Sequence, residues 1–93
     1  MIKNKKDCEE FLENKKYFRQ YGDGGGLVFH YDGYYRDRYF EVYIFNDSNN
    51  WYRISKREWD DNIYWNKITF DDMVRLIYID SEYINMKLLL KEV

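Results

Sequence analysis

Residues 27–45 read Leu27-Val28-Phe29-His30-Tyr31-Asp32-Gly33-Tyr34-Tyr35-Arg36-Asp37-Arg38-Tyr39-Phe40-Glu41-Val42-Tyr43-Ile44-Phe45, and this stretch decides the fold. Two runs of β-favouring residues, 27–31 and 34–45, flank Asp32-Gly33. An Asp-Gly pair suits a type I′ turn, which needs positive φ at both central positions, so the pattern predicts a β-hairpin. In the second run Phe40, Val42 and Ile44 alternate with Tyr39, Glu41, Tyr43 and Phe45. The first set is the natural core face and the second is amphipathic. Asn46-Asp47-Ser48-Asn49-Asn50 follows as a polar turn into a third strand, residues 51–54, with Tyr52 and Ile54 in phase to face inward. The expectation is a three-stranded antiparallel meander.

On the N-terminal side lies Gly22-Asp23-Gly24-Gly25-Gly26. Its glycine density suggests a phosphate-binding loop, but no Gly-Lys-Ser/Thr follows and the next segment reads as a strand, not a helix. It reads as a flexible connector. Before it, Asp7 with Glu10 three residues on is a capping-box variant. Cys8, Phe11 or Leu12, Lys15 and Phe18 then recur at helical spacing, with Gly22 as the closing residue. This predicts an amphipathic helix over residues 8–20.

On the C-terminal side, Ser55-Lys56-Arg57-Glu58 is a capping box for a short helix through Trp59. Residues 60–67 read as irregular. Thr69-Phe70-Asp71-Asp72 is a second cap, with acids at the positive end of the helix dipole. Phe70, Val74, Ile77, Ser81, Ile84 and Leu88 keep a three–four spacing, which fits one long helix or two broken near Asp80-Ser81. Residues 84–90 also fit a fourth strand, and periodicity leaves that open. The expected fold is α+β in a single domain, residues 1–93: an N-terminal helix, a three-stranded antiparallel meander and a C-terminal helical segment.

Twenty of the 93 residues are aromatic, eleven of them tyrosines, and there is no proline. That exceeds the needs of so small a core, so some rings are expected on a contact surface, where Tyr, Trp and Arg supply most binding energy. Net charge is −2 but uneven. Residues 1–21 carry six basic and four acidic residues, and residues 22–93 carry nine and thirteen. A protein that grips a nucleic-acid backbone has the opposite balance, so direct nucleic-acid binding ranks below protein binding. No apolar stretch approaches the roughly 20 residues of a membrane helix. The basic start is followed by acids, unlike a signal peptide. The single Cys8 excludes an internal disulfide or a cysteine-rich zinc site. These features lead us to expect a cytoplasmic protein without a membrane partner.

Candidate chemistry is sparse. His30 is the only histidine and sits on a predicted strand, where a half-buried structural role is the plain reading. Asp60-Asp61 and Asp71-Asp72 raise two-metal or glycosidase chemistry, but adjacent acids on a helix diverge by about 100° and seldom share a ligand. Asn46-Asp47-Ser48-Asn49-Asn50 has calcium-loop residue types without the glycine and closing glutamate. No catalytic residue, cofactor or metal ligand is therefore expected.

Arg36 and Arg38, set among Tyr34, Tyr35 and Tyr39, match the basic–aromatic interleaving of single-strand binders. Arg36 and Arg38 are in phase with Phe40, so they need a hairpin end that projects past the core or carries a bulge. With Tyr43 and Trp51 on the hairpin's outer face, these residues form the first candidate partner surface. Trp59, Asp60, Asp61, Asp71 and Asp72 form a second, acidic one, suited to a basic protein groove.

In size, acidity and richness in Asn, Lys, Ile and Tyr, the chain resembles small proteins of phages and mobile elements from low-GC bacteria, among them anti-CRISPR inhibitors. That resemblance is compositional, involves no motif and transfers no residue. It implies a non-enzymatic inhibitor that occludes a nucleic-acid-binding groove of a larger host-defence effector, acting in the host cell cytoplasm. A toxin-neutralising immunity protein and a small single-strand-binding protein are the alternatives. Homodimerisation through the hairpin or the last helix is a further expectation.

Overall fold

The computed structural model describes the backbone of residues 1–92 and the side chains of residues 1–90. The elements run α1 (Lys5–Asn14), β1 (Arg19–Tyr21), β2 (Gly26–Tyr35), β3 (Arg38–Asp47), β4 (Asn50–Arg57), β5 (Asp60–Ile68), α2 (Phe70–Ile79) and α3 (Ser81–Glu92). The class is α+β. The three-stranded meander is corrected to five antiparallel strands in the order β1-β2-β3-β4-β5, with three helices.

The central hairpin turns later than Asp32-Gly33. Tyr35 pairs with Arg38, and Arg36 and Asp37 take the left-handed conformation, φ 51° and 64°, at the two turn positions. Gly33 lies inside β2 instead. The Tyr83 ring lies over it, and a Cβ there would stand 2.7 Å from Tyr83 Cε1. The glycine is required by packing, not by a turn.

The next turn reverses a predicted phase. Asp47 pairs with Asn50, leaving only Ser48 (φ 55°) and Asn49 to turn. This parity places Trp51 opposite Asn46 on the core side. Tyr52 and Ile54, expected inside, therefore lie on the other face with Tyr43 and Phe45. The Asn46 side chain donates to Asn50 O at 3.1 Å and closes the turn.

Ser55-Lys56-Arg57-Glu58 does not open a helix, because Glu58 is committed elsewhere. Its backbone N–H donates to Tyr39 O and its carboxylate accepts the Tyr39 N–H, both at 3.0 Å. The chain turns at Glu58-Trp59, and residues 60–67, expected to be irregular, return with Ile68 as edge strand β5, with a bulge opposite Lys56 and Arg57.

At the N-terminus, the Asn4 side chain caps α1 by accepting the Asp7 N–H, and Lys15 in the left-handed conformation ends it. The helix expected over residues 8–20 is thus shorter and earlier. Tyr17 and Phe18 fold back on Phe11, with ring centroids 6.4 and 5.6 Å away. Residues 19–21 then pair with β2 as β1, and Gly22 belongs to the β1–β2 turn. Thr69 caps α2 by accepting the Asp72 N–H at 3.1 Å. The break falls at Asp80, and α3 settles residues 84–90 as helix.

All three helices pack on one face of the sheet. Phe11 and Leu12 of α1, Met73 and Ile77 of α2, and Ile84 and Leu88 of α3 meet Phe29, Tyr31, Val42, Ile44 and Trp51 of the strands. Val42 and Ile44 point inward as their alternation predicts. Among the described residues no helix is long and apolar enough to cross a membrane.

Candidate binding surfaces

Because the helices occupy one face, the other face of the sheet is open. Register alone determines what it shows, since cross-strand partners share a face. Tyr21, Tyr43, Phe45, Tyr52, Ile54 and Trp65 all fall there. A row of rings crosses from one edge strand to the other: Tyr21 to Phe45 at 5.5 Å, Phe45 to Tyr52 at 5.9 Å, and Tyr52 to Trp65 at 5.3 Å. Gly26 makes the first step possible, because a Cβ there would fall 2.6 Å from the Phe45 ring. Tyr21, Val28, Tyr43, Phe45, Ile54 and Trp65 line an apolar hollow of about 270 Å³. Tyr21 and Trp65 are 64% and 56% exposed.

Towards the hairpin end, this face turns polar. Tyr34 and Tyr39 meet with centroids 5.4 Å apart. The Tyr39 hydroxyl donates to Asp32 Oδ2 at 2.6 Å, with Glu41 Oε1 at 3.2 Å. The hydrogen bond to Asp32, helped by desolvation, pushes the phenol above its ordinary range. His30 stacks on Tyr43 at 4.5 Å and holds Nε2 3.5 Å from Glu41 Oε1, without hydrogen-bond geometry. Burial lowers its pKa more than Glu41 raises it.

No family model, curated protein or solved structure matches this chain.

A second surface lies at one end of the sheet, where the Arg36-Asp37 and Glu58-Trp59 turns lie side by side through the Tyr39–Glu58 bonds. Arg38 lies 5.3 Å over the Trp59 ring. Arg57 lies 5.9 Å over the same ring and 5.0 Å over Tyr64. Arg36 covers Tyr35 at 5.4 Å. Arg36 and Arg38 are exposed at the end of the hairpin. Between the strands and the α2–α3 corner is a cleft of about 320 Å³ lined in part by Tyr35, Arg53, Arg57, Trp59, Asp80 and Tyr83.

The two candidate surfaces of the sequence are thus redistributed. Tyr34, Tyr39 and Tyr43 share the open face, while Tyr35, Arg36 and Arg38 join Trp59 at the tip. Trp51 is core, 6% exposed, between Phe18 and Phe70. Asp60 accepts from the Tyr64 hydroxyl and the Asn62 N–H, and the first of these chiefly lowers its pKa. Asp61 is exposed beside it on β5. Asp71 and Asp72 are at the opposite end of the sheet, since β5 runs away from the tip into α2, and Asp72 pairs with Arg75. With strands of nine or ten residues the two ends are about 30 Å apart, so the four acids do not form one patch.

Sequence reasoning missed Tyr21, Tyr52, Trp65, Arg57 and Tyr64. The alternation of Ile63, Trp65 and Lys67 was the available signal for Trp65. Cys8 is buried in the core, where burial pushes its thiol up to about 11 and keeps it protonated at neutral pH. Among the described residues no three His, Cys, Asp or Glu side chains are grouped to hold a metal ion.

Proposed function

We propose that this chain is a non-enzymatic binding protein that inhibits a larger protein partner by laying its open sheet face against it. One observation carries the reading: a ring-lined face runs from β1 to β5 and, among the described residues, no helix covers it. A contiguous exposed apolar surface of this kind marks an interaction site, whereas single exposed rings do not. The hollow between Tyr21, Phe45 and Trp65 suits one large apolar side chain of the partner as an anchor.

The overall acidity fits a basic partner, and the compositional resemblance to anti-CRISPR inhibitors suggests a nucleic-acid-handling effector. The lone, buried Cys8 supports a reducing, cytoplasmic setting.

Affinity capture from the source cells with wild type, Trp65→Lys, Tyr21→Lys and Arg75→Glu tests the proposal. The two face variants are expected to lose both the captured protein and the inhibition of its activity, and Arg75→Glu to keep both. Retention by the face variants, or no captured protein at low salt, refutes the reading. Self-association is the competing occupant of the face, and sedimentation of the pure chain tells the two apart.

A further inference from the structure

We propose that the tip cleft is a second site, separate from the open face, that binds a phosphorylated nucleoside, either free or as part of a single nucleic-acid strand. The charge of the cleft runs against that of the chain. Arg53, Lys56 and Arg57 line it with Asp80 as its one acid, although the protein carries a net −2. Asp80 is already committed. It accepts the Tyr31 hydroxyl at 2.5 Å and lies 3.6 Å from Arg53 Nη2. Arg53 is itself only partly satisfied, because its Nε is buried without an acceptor.

Arg57 is held differently. The faces of Trp59 and Tyr64 fix its guanidinium, and neither Arg57 nor Arg38 forms an ion pair among the described residues. A guanidinium positioned through its face keeps its edge N–H donors free, and that edge is the part that forks onto phosphate oxygens.

The walls supply the other half of the ligand. Tyr35 and Trp59 are 59% and 45% exposed at the rim. Tyr83 is fixed edge-on against Phe40 at 4.9 Å and by donation to Tyr34 O at 3.0 Å. Flat, rigid rings beside arginine forks are the pairing that receives a base and its phosphate. At about 320 Å³ the cleft lies at the small end of ligand pockets, enough for one nucleotide unit rather than a duplex. An acidic peptide would use the arginines but leave the rings without a planar partner.

The test titrates the full chain at low salt with AMP, with a short fluorescein-labelled oligothymidylate and with polyglutamate. The tryptophan indole signals in the NMR spectrum and the anisotropy of the label serve as readouts. The Trp59 signal is expected to move with AMP or the oligonucleotide. Trp59→Ala and Arg57→Ala should each weaken binding about tenfold, while Arg75→Ala leaves it unchanged. Similar affinity for AMP and the strand assigns a free nucleotide, and much tighter binding of the strand assigns single-stranded nucleic acid. Binding of neither, equal weakening by Arg75→Ala, or preference for polyglutamate overturns the proposal. Trp65→Lys, which tests the open face, should not alter this binding, so the two readings fail separately.

Discussion

The Tyr83 ring of α3 lies over Gly33 of β2, close enough that no side chain fits between them. The ring cannot simply swing away, because it packs on Phe40 and its hydroxyl bonds to Tyr34 O. Gly33→Ala should therefore overpack the helix–sheet contact and cost about 1–3 kcal/mol. Urea denaturation measures this. If the glycine instead served backbone conformation alone, Tyr83→Ala would not rescue Gly33→Ala; the contact predicts that it does so in part.

A buried phenol links the core to the corner between the last two helices. Tyr31 is 1% exposed, and its hydroxyl donates to Asp80. Tyr31→Phe removes a hydrogen bond to a charged group and should cost about 1.5–3 kcal/mol at pH 7. Burial first, then the Asp80 charge, pushes the Tyr31 pKa well above its ordinary value of 10. The unfolded chain then releases its proton near pH 10 while the folded chain retains it, so stability is intact below pH 10 and falls as pH rises beyond it. The gap between wild type and Tyr31→Phe should narrow in alkaline solution. A gap that widens there would contradict the assignment.

Features fixed by local chemistry were legible in the sequence. The Thr69 cap, the inward phase of Val42 and Ile44 and the existence of the central hairpin each depend on neighbours within a few residues. The misreadings came from distant partners. Asp32-Gly33 carries the residues of a turn, yet Tyr83, fifty positions on, uses the glycine. Ser55-Lys56-Arg57-Glu58 carries a capping box, yet Tyr39 takes Glu58. The polar run from Asn46 to Asn50 looked like a loop, yet only two of its residues turn, and that parity moves Trp51 from the candidate surface to the core. Strand β5 is exposed throughout residues 61–67, so no buried stripe announced it. With β5 unread, the open face lost its last column, and Trp65 read as a core anchor as readily as an exposed one.

His30 gives a test of which force governs the polar end of the open face. Desolvation lowers its pKa from 6.5, against the attraction of Glu41. The folded protein then resists a proton that the unfolded chain accepts, so stability should fall as pH drops below 6.5. His30→Gln should flatten that decline. As the only histidine, it yields an unambiguous NMR titration, whose midpoint is expected below 6.5. A midpoint above that value would mean that Glu41 outweighs desolvation.

The three tryptophans separate core from contact surface. Trp51 is buried against Phe18 and Phe70, so Trp51→Ala should cost about 3–5 kcal/mol and leave the domain largely unfolded at moderate urea. Trp65 packs on Tyr52, lies opposite Ile54 and is 56% exposed. Trp65→Ala should cost about 1 kcal/mol or less, the worth of an exposed aromatic pair. Trp59 packs on arginines at a turn, and Trp59→Ala should be similarly mild. Such rings are retained at little benefit to folding, which is the expected economy of a binding surface. Should Trp65→Ala destabilise the chain as severely as Trp51→Ala, the open face would be a second core rather than a place for a partner.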